Sequence, residues 1–198
     1  MEMWNKKPST RTEAGFSLLE LTIAMGITLA VMAAATTLLA TSLRTRSREN
    51  TRSDALASAQ RALNIMSREI GNSGYGLTDN GIVTADSNLN SIRVRANLNN
   101  DTDLSDTDED VRFVFQSANG AIVRVDNTAG SVVLATSISE LKIFYLDMSG
   151  TTTTANAAER VTIDVLVNLP AGLEQPQSFV HLVSEVALRN GPGTLQQY

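Results

Sequence analysis

Three groups of residues in this chain have the types and spacing to do chemistry. The first is one carboxylate, Glu20, inside the otherwise uncharged run FSLLELTIAMGITLAVMAAATTLLATSL at residues 16–43. About 20 apolar residues suffice to cross a bilayer. An ionisable group within such a run is costly in hydrocarbon and marks function unless a partner neutralises it. The second group is the acidic stretch NLNNDTDLSDTDED at residues 97–110. Oxygen ligands at alternate positions, Asn97, Asn99 and Asp101 with the carbonyl of Asp103, follow the spacing of an EF-hand-type loop, and Asp108 or Glu109 would close the shell around Ca2+. Asn97 stands where an Asp is usual, Thr102 stands where the sharp turn favours Gly, and a strand rather than a helix follows. The plain alternative is a solvated acidic hairpin tip. The third is His181, the chain's only histidine, inside a predicted strand. Nothing places a hydroxyl and a carboxylate beside it, and no phosphate-binding G-x-x-x-x-G-K-[ST] motif occurs. The chain reads as non-enzymatic, with Ca2+ as its one candidate cofactor.

The elements that position these groups follow from periodicity. The 198 residues carry no cysteine, which excludes a disulfide framework and a thiolate metal site, and a formal charge of −5, which argues against general affinity for nucleic acid. Residues 1–15, MEMWNKKPSTRTEAG, form a polar leader with Lys6, Lys7 and Arg11 as its basic positions. The apolar run that follows is too long for the core of an ordinary secretory signal, and the sharpest break in composition precedes it. No Pro or Gly interrupts residues 27–70, so the helix should continue beyond the apolar run. There Leu56, Ala59, Leu63, Met66 and Ile70 recur at three- and four-residue steps, as on one buried helix face. Gly71, Gly74 and Gly76 should end it.

Beyond residue 76 the chain alternates short strands with Gly, Asn, Asp and Thr clusters. Strands are expected at 82–84, 91–96, 111–116, 121–126, 132–136, 141–146, 160–169 and 179–188. Val111, Phe113 and Phe115 share one face, and so do Val161, Ile163, Val165 and Val167. Asn119-Gly120 and Ala129-Gly130 suit hairpin turns, and residues 151–158 read as a solvated loop. A long helix followed by consecutive strands implies an α+β fold, with the helix packed on a largely antiparallel sheet. The divisions are a leader (1–15), an apolar helix (16–43), an amphipathic continuation (44–76) and a β-rich head (77–198).

The sequence G-F-S-L-L-E-L at residues 15–21 resembles the class III signal of type IV prepilins. That resemblance implies cleavage by a prepilin peptidase between Gly15 and Phe16 and N-methylation of Phe16. Glu20 then becomes the fifth residue of the mature chain and the anion that guides assembly. Physics is consistent with this: cleavage creates an amine one helical turn from Glu20, and opposite charges attract strongly where the dielectric is low. Glu20 can pair with a neighbouring subunit's amine or with its own chain's at i, i+4, and the sequence does not separate the two. The segment R-E-I-G-N-S-G-Y-G, through Arg68, Glu69, Ile70, Gly74 and Tyr75, resembles the helix end of PilW-like minor pilins, and S-E-V-A-L-R-N at 184–190 resembles their last strand. Major pilins often carry a proline in the apolar half, and its absence here fits a minor subunit better.

The resemblance implies a subunit of a type IV pilus (fimbrium), held first in the bacterial inner membrane with its head outside the cytoplasm. Its partners would be prepilin peptidase, membrane lipid and other pilins packed through residues 16–43, at initiation of pilus assembly or at the tip. A pseudopilin of a type II secretion system or a DNA-uptake system shares the same anchor. A membrane-anchored, calcium-dependent adhesin is the reading from another class. Charge does not decide orientation, because Arg44, Arg46, Arg48 and Arg52 follow the run as Lys6, Lys7 and Arg11 precede it.

Overall fold

The computed structural model describes residues 15–101, 103–169, 171 and 176–195. The expected leader, Gly15 excepted, lies outside the described residues, as does Thr102. The fold is α+β, as the pattern of elements implied. Helix α1 spans Leu18–Gly71, and seven strands follow: β1 Ser91–Arg95, β2 Asp110–Gln116, β3 Ala121–Asp126, β4 Gly130–Ala135, β5 Ile138–Leu146, β6 Arg160–Leu169 and β7 Ser178–Ala187. A short helix, α2 (Pro192–Leu195), comes after them. The chain divides into two compact units, one ending at Ser47 and the other beginning at Arg48. The helical residues from Arg48 onward fall within the second unit.

In the first unit every residue from 15 to 47 is exposed. Its helix is long and apolar enough to cross a membrane. Ser17 caps it: the Ser17 carbonyl accepts the first helical bond from the Leu21 amide at 3.1 Å, and its Oγ accepts from the Leu19 amide at 3.3 Å. The six threonines of this stretch donate their hydroxyls back to carbonyls three or four residues earlier, for example Thr28 to Ala24 at 2.7 Å and Thr37 to Ala34 at 2.8 Å.

In the second unit the helix buries Ala55, Ala59, Ala62, Leu63, Met66 and Ile70, while Leu56 is only half-buried. Half of the buried face is alanine, so it carries less side chain than the periodicity implied. One apolar cluster joins these residues to Ile92, Val94, Val111, Phe113 and Ile122 from the early strands and to Leu141, Ile143, Val161, Ile163, Val165 and Val167 from the later ones.

The strands form two antiparallel meanders, β1-β2-β3-β4 and β5-β6-β7, where the sequence implied one sheet. Main-chain bonds stitch the two together at a few points: Ile138 N to Gly120 O at 2.9 Å and Ile143 N to Leu89 O at 2.8 Å. Hairpins stand at Asn119-Gly120 and Ala129-Gly130, and both glycines take positive φ (55° and 93°), which an L side chain resists. Two local expectations fail. Residues 82–84 form only a bridge, Ile82 to Val94, before a 3-10 turn at Thr84–Asp86. The 151–158 segment is not merely solvated: Ala155 and Ala158 are buried, and Thr152 bridges Leu146.

The helix end and the last strand clasp each other. Ser67 Oγ lies 2.8 Å from Ser184 Oγ, and Arg189 N donates to the Gly71 carbonyl at 3.3 Å. Asn190 Nδ2 sits 2.6–2.9 Å from three carbonyl oxygens, those of Gly74, Leu77 and Asp79. Gly74 (φ 78°) and Gly81 (φ 71°) pack so closely that a Cβ on Gly81 would lie 2.2 Å from the Gly74 nitrogen.

Ile70→Ala should therefore lower the head's stability by about 2–5 kcal/mol through the cavity it leaves. Asn190→Ala should cost about 1–3 kcal/mol by orphaning clustered carbonyls. Urea unfolding of the detergent-solubilised chain, followed by far-UV circular dichroism, measures both.

Candidate functional site

The first site is the start of α1. Phe16 lies just outside the helix, exposed, and Glu20 sits in its first turn, exposed. The run Ser17-Leu18-Leu19-Glu20 has the S-x-x-E spacing of a capping box. Only half of that box is made: the Ser17 hydroxyl is engaged, whereas among the described residues no donor or cation reaches the Glu20 carboxylate. A carboxylate in the first turn is favoured by the positive end of the helix dipole. It remains available to a charged group outside the helix. Gly15 has open space around it, with nothing within 4 Å of where a Cβ would stand. The described backbone on both sides of the 15–16 peptide bond is exposed and non-helical.

The second site is the loop between β1 and β2. Carboxylate oxygens of Asp101, Asp103 and Glu109 lie within 4.8 Å of one another. The loop is wound by side chains that cap amides two residues on: Asn99 Oδ1 accepts from Asp101 N at 3.0 Å, Asp101 Oδ1 from Asp103 N at 2.9 Å and Asp103 Oδ1 from Ser105 N at 2.9 Å. The last of these bonds holds the Asp103 carboxyl below its ordinary range. Of the two residues that could close a shell, the structure brings in Glu109. Asp108 turns away to the Arg124 guanidinium, and its backbone is left-handed at φ 71°. Asn99 lies alongside, its Nδ2 donating to Asp101 Oδ2 at 2.7 Å and to Asp106 Oδ2 at 2.6 Å. Asn97 donates through Nδ2 to the Asp101 carbonyl at 2.7 Å.

Around this loop the acids are held by arginines, a network that alternation in the sequence did not reveal. Arg93 grips Asp110 with two bonds of 2.6 Å and reaches Asp86 at 2.6 Å, and Arg95 adds a 3.2 Å contact to Asp110. Arg124 joins Glu69 at 2.9 Å, Asp126 at 3.4 Å and Asp108. Burial alone would raise the Asp110 carboxyl, but hydrogen bonds and charge from Arg93 and Arg95 outweigh it and hold the group below its usual range. Asp126 is likewise held low, because amide bonds from Ala129, Asp108 and Thr128 and the charge of Arg124 overcome its burial. Glu69 goes the other way: burial raises it despite Arg124. The strand alternation could have flagged Arg93, Arg95 and Asp110 only if their register had been known: Arg93 pairs with Arg112, and Arg95 with Asp110.

His181 is on β7, its ring 65 % exposed and its Nδ1 3.2 Å from Asp164 Oδ1 across the β6–β7 pair. Among the described residues no hydroxyl joins them, so the structure assembles no nucleophilic set there. Comparison with protein-family models, characterised proteins and solved structures finds no match for this chain.

A folded carboxyl held below its unfolded pKa supplies stability above that pKa, near 3.9, and loses it as pH falls through the folded value. Asp110 and Asp126 act in this sense, and Glu69 in the opposite one. Stability should fall as pH drops below about 4, and Asp110→Asn should be weaker at pH 7 yet lose less on acidification. Urea midpoints at pH 7, 5 and 3 read this difference.

Proposed function

We propose that this chain is a type IV pilin-like minor subunit, cut between Gly15 and Phe16, methylated at Phe16, and assembled from the inner membrane into a pilus. The observation that carries this reading is the lone Glu20 at the fourth position after Phe16. It opens a fully exposed apolar helix with its own carboxylate unpartnered among the described residues. Among the described residues, those from 16 to 43 are exposed, and an apolar stretch of this length is buried by lipid or by other helices. Small residues, Gly26 and Ala33-Ala34-Ala35, let helices approach closely.

The chemistry of assembly rests on two groups. Cleavage leaves an amine at Phe16, just outside the capped turn, and Glu20 is the anion within one turn of it. Inside an apolar bundle an unpaired carboxylate is expensive, so a subunit entering beside a neighbour's amine is favoured over one out of register. The head, with its antiparallel meanders on the amphipathic half of the helix, supports the same reading, since the α+β arrangement suits a subunit whose helix is shared with others and whose sheet faces solvent. The head would take part in initiation or in the tip.

Intact-mass analysis of the purified chain should find residues 1–15 removed and one methyl group added at Phe16. Retention of Trp4 would overturn the proposal. Glu20→Ala should still be cut but should enter fibres at least about tenfold less well, since ~1.4 kcal/mol is a factor of ten. Counting surface fibres and labelled subunits checks it, and normal incorporation would exclude the role given to Glu20. Intact fibres with lost exoprotein secretion would instead assign the chain to a type II secretion pseudopilus.

A further inference from the structure

The loop between β1 and β2 holds two features that the pilin-like reading does not use. The first is the convergence of Asp101, Asp103 and Glu109, with oxygens within 4.8 Å of one another. The second is what surrounds Glu109. Its side chain is 1 % exposed. Its Oε1 accepts from the Leu98 amide at 2.7 Å and the Asn99 amide at 3.3 Å, but Oε2 is buried with no donor. Asn97, 7 % exposed, also keeps a buried acceptor, Oδ1, without a donor. Four buried side-chain atoms lack a partner among the described residues, and these two oxygens flank one loop. Burying an unpaired carboxylate oxygen is expensive, and native structures rarely tolerate it without a cation or a donor.

The neighbouring acids sharpen the contrast. Asp86, Asp108, Asp110, Asp126 and Glu69 each have an arginine. Among the described residues none of Asp101, Asp103 and Glu109 has a basic partner. Asp106, in the same loop, is held by Asn99 instead, so what sets the cluster apart is the buried Oε2 of Glu109, converging with two other carboxylates and lacking any donor among the described residues.

We infer that this loop is a divalent-cation site, selective for Ca2+, with carboxylate ligands from Asp101, Asp103 and Glu109 and a fourth oxygen from Asn97 Oδ1. All are hard oxygens, as Ca2+ prefers, and Asp101 and Asp103 are exposed, so water can complete the six to eight ligands. Mg2+ demands near-ideal octahedral geometry and gives up its waters reluctantly, so a set drawn from one loop favours the larger ion. Glu109 directly precedes β2, and Asn97 follows β1 by two residues, so the ion would tie the loop to the root of the hairpin. The affinity expected of such an extracytoplasmic site is on the order of 10⁻⁴–10⁻³ M.

Titration calorimetry of the full-length, detergent-solubilised chain, after treatment with chelator, tests the inference. One Ca2+ per chain should bind, with Mg2+ at least about tenfold weaker, and thermal unfolding should move to higher temperature in Ca2+. Asp103→Asn changes an exposed side chain and should weaken Ca2+ binding about tenfold or more while leaving the far-UV spectrum unchanged. Asp147→Asn, in a similar turn elsewhere, should leave binding as it was. Absence of both Ca2+ heat and a thermal shift at 5 mM, an excess over the expected affinity of roughly 10⁻³ M, would overturn the inference. So would undiminished binding by Asp103→Asn. Fibre assembly plays no part in either readout, so this result and that of the Glu20 substitution fail independently.

Discussion

From Arg48 onward the structure depends on one stripe of the helix, Ala55, Ala59, Ala62, Leu63, Met66 and Ile70, being covered by two sheets at once. Neither meander could bury its own apolar face alone. β6 alone turns Val161, Ile163, Val165 and Val167 fully inward. Three of the six buried positions are alanines, and Met66 and Ile70 supply the largest fully buried side chains of the stripe, near the helix end. Shared burial of this kind makes the element boundaries interdependent. The tight turns at Gly74 and Gly81 and the threefold contact of Asn190 exist because the chain must leave the helix and enter β1 without opening that core.

Strong period-two segments were legible. The limits of β3 and β6 fall where the pattern places them; strict alternation holds in β6, whereas β3 buries Ala121, Ile122 and Val123 in succession and shifts register against β4 between Ile122 and Val123. The buried helix face was legible through Leu63, Met66 and Ile70 but not through Ala55 and Ala62, since alanine looks alike on a buried or an exposed face. The same weakness hid Ala155 and Ala158 inside what reads as a threonine-rich loop. Pairing of strands into two sheets was not legible at all, because the pattern gives a strand's faces and not its neighbours. At the acidic loop the sequence offered Asp108 and Glu109 as equals. A left-handed turn at Asp108 broke the alternation and gave one to Arg124 and the other to the interior. At the start of α1, Gly15, Phe16 and Glu20 stood out by composition alone, but the S-x-x-E cap was masked by the apolar residues around it.

Charge in the head is organised by neutralisation rather than by net sign. Arg93 and Arg124 each hold more than one carboxylate, across strands in the first case and between helix and sheet in the second. Arg93 stands in the middle of β1, Asp110 at the start of β2 and Glu69 near the end of α1. These contacts act as latches at the margins of a core that is otherwise held by apolar contact.

The threonines of the exposed helix have a consequence of their own. With each hydroxyl returned to the helix's own carbonyls, that stretch asks nothing polar of its surroundings. Acyl chains and neighbouring protein side chains are then nearly equivalent solvents for it. A segment built this way can be drawn sideways out of one apolar medium into another without breaking a hydrogen bond, and the free-energy difference between the two shrinks toward whatever Glu20 meets there. On the proposed reading, the threonines would make the helix portable and the carboxylate would give its journey a direction.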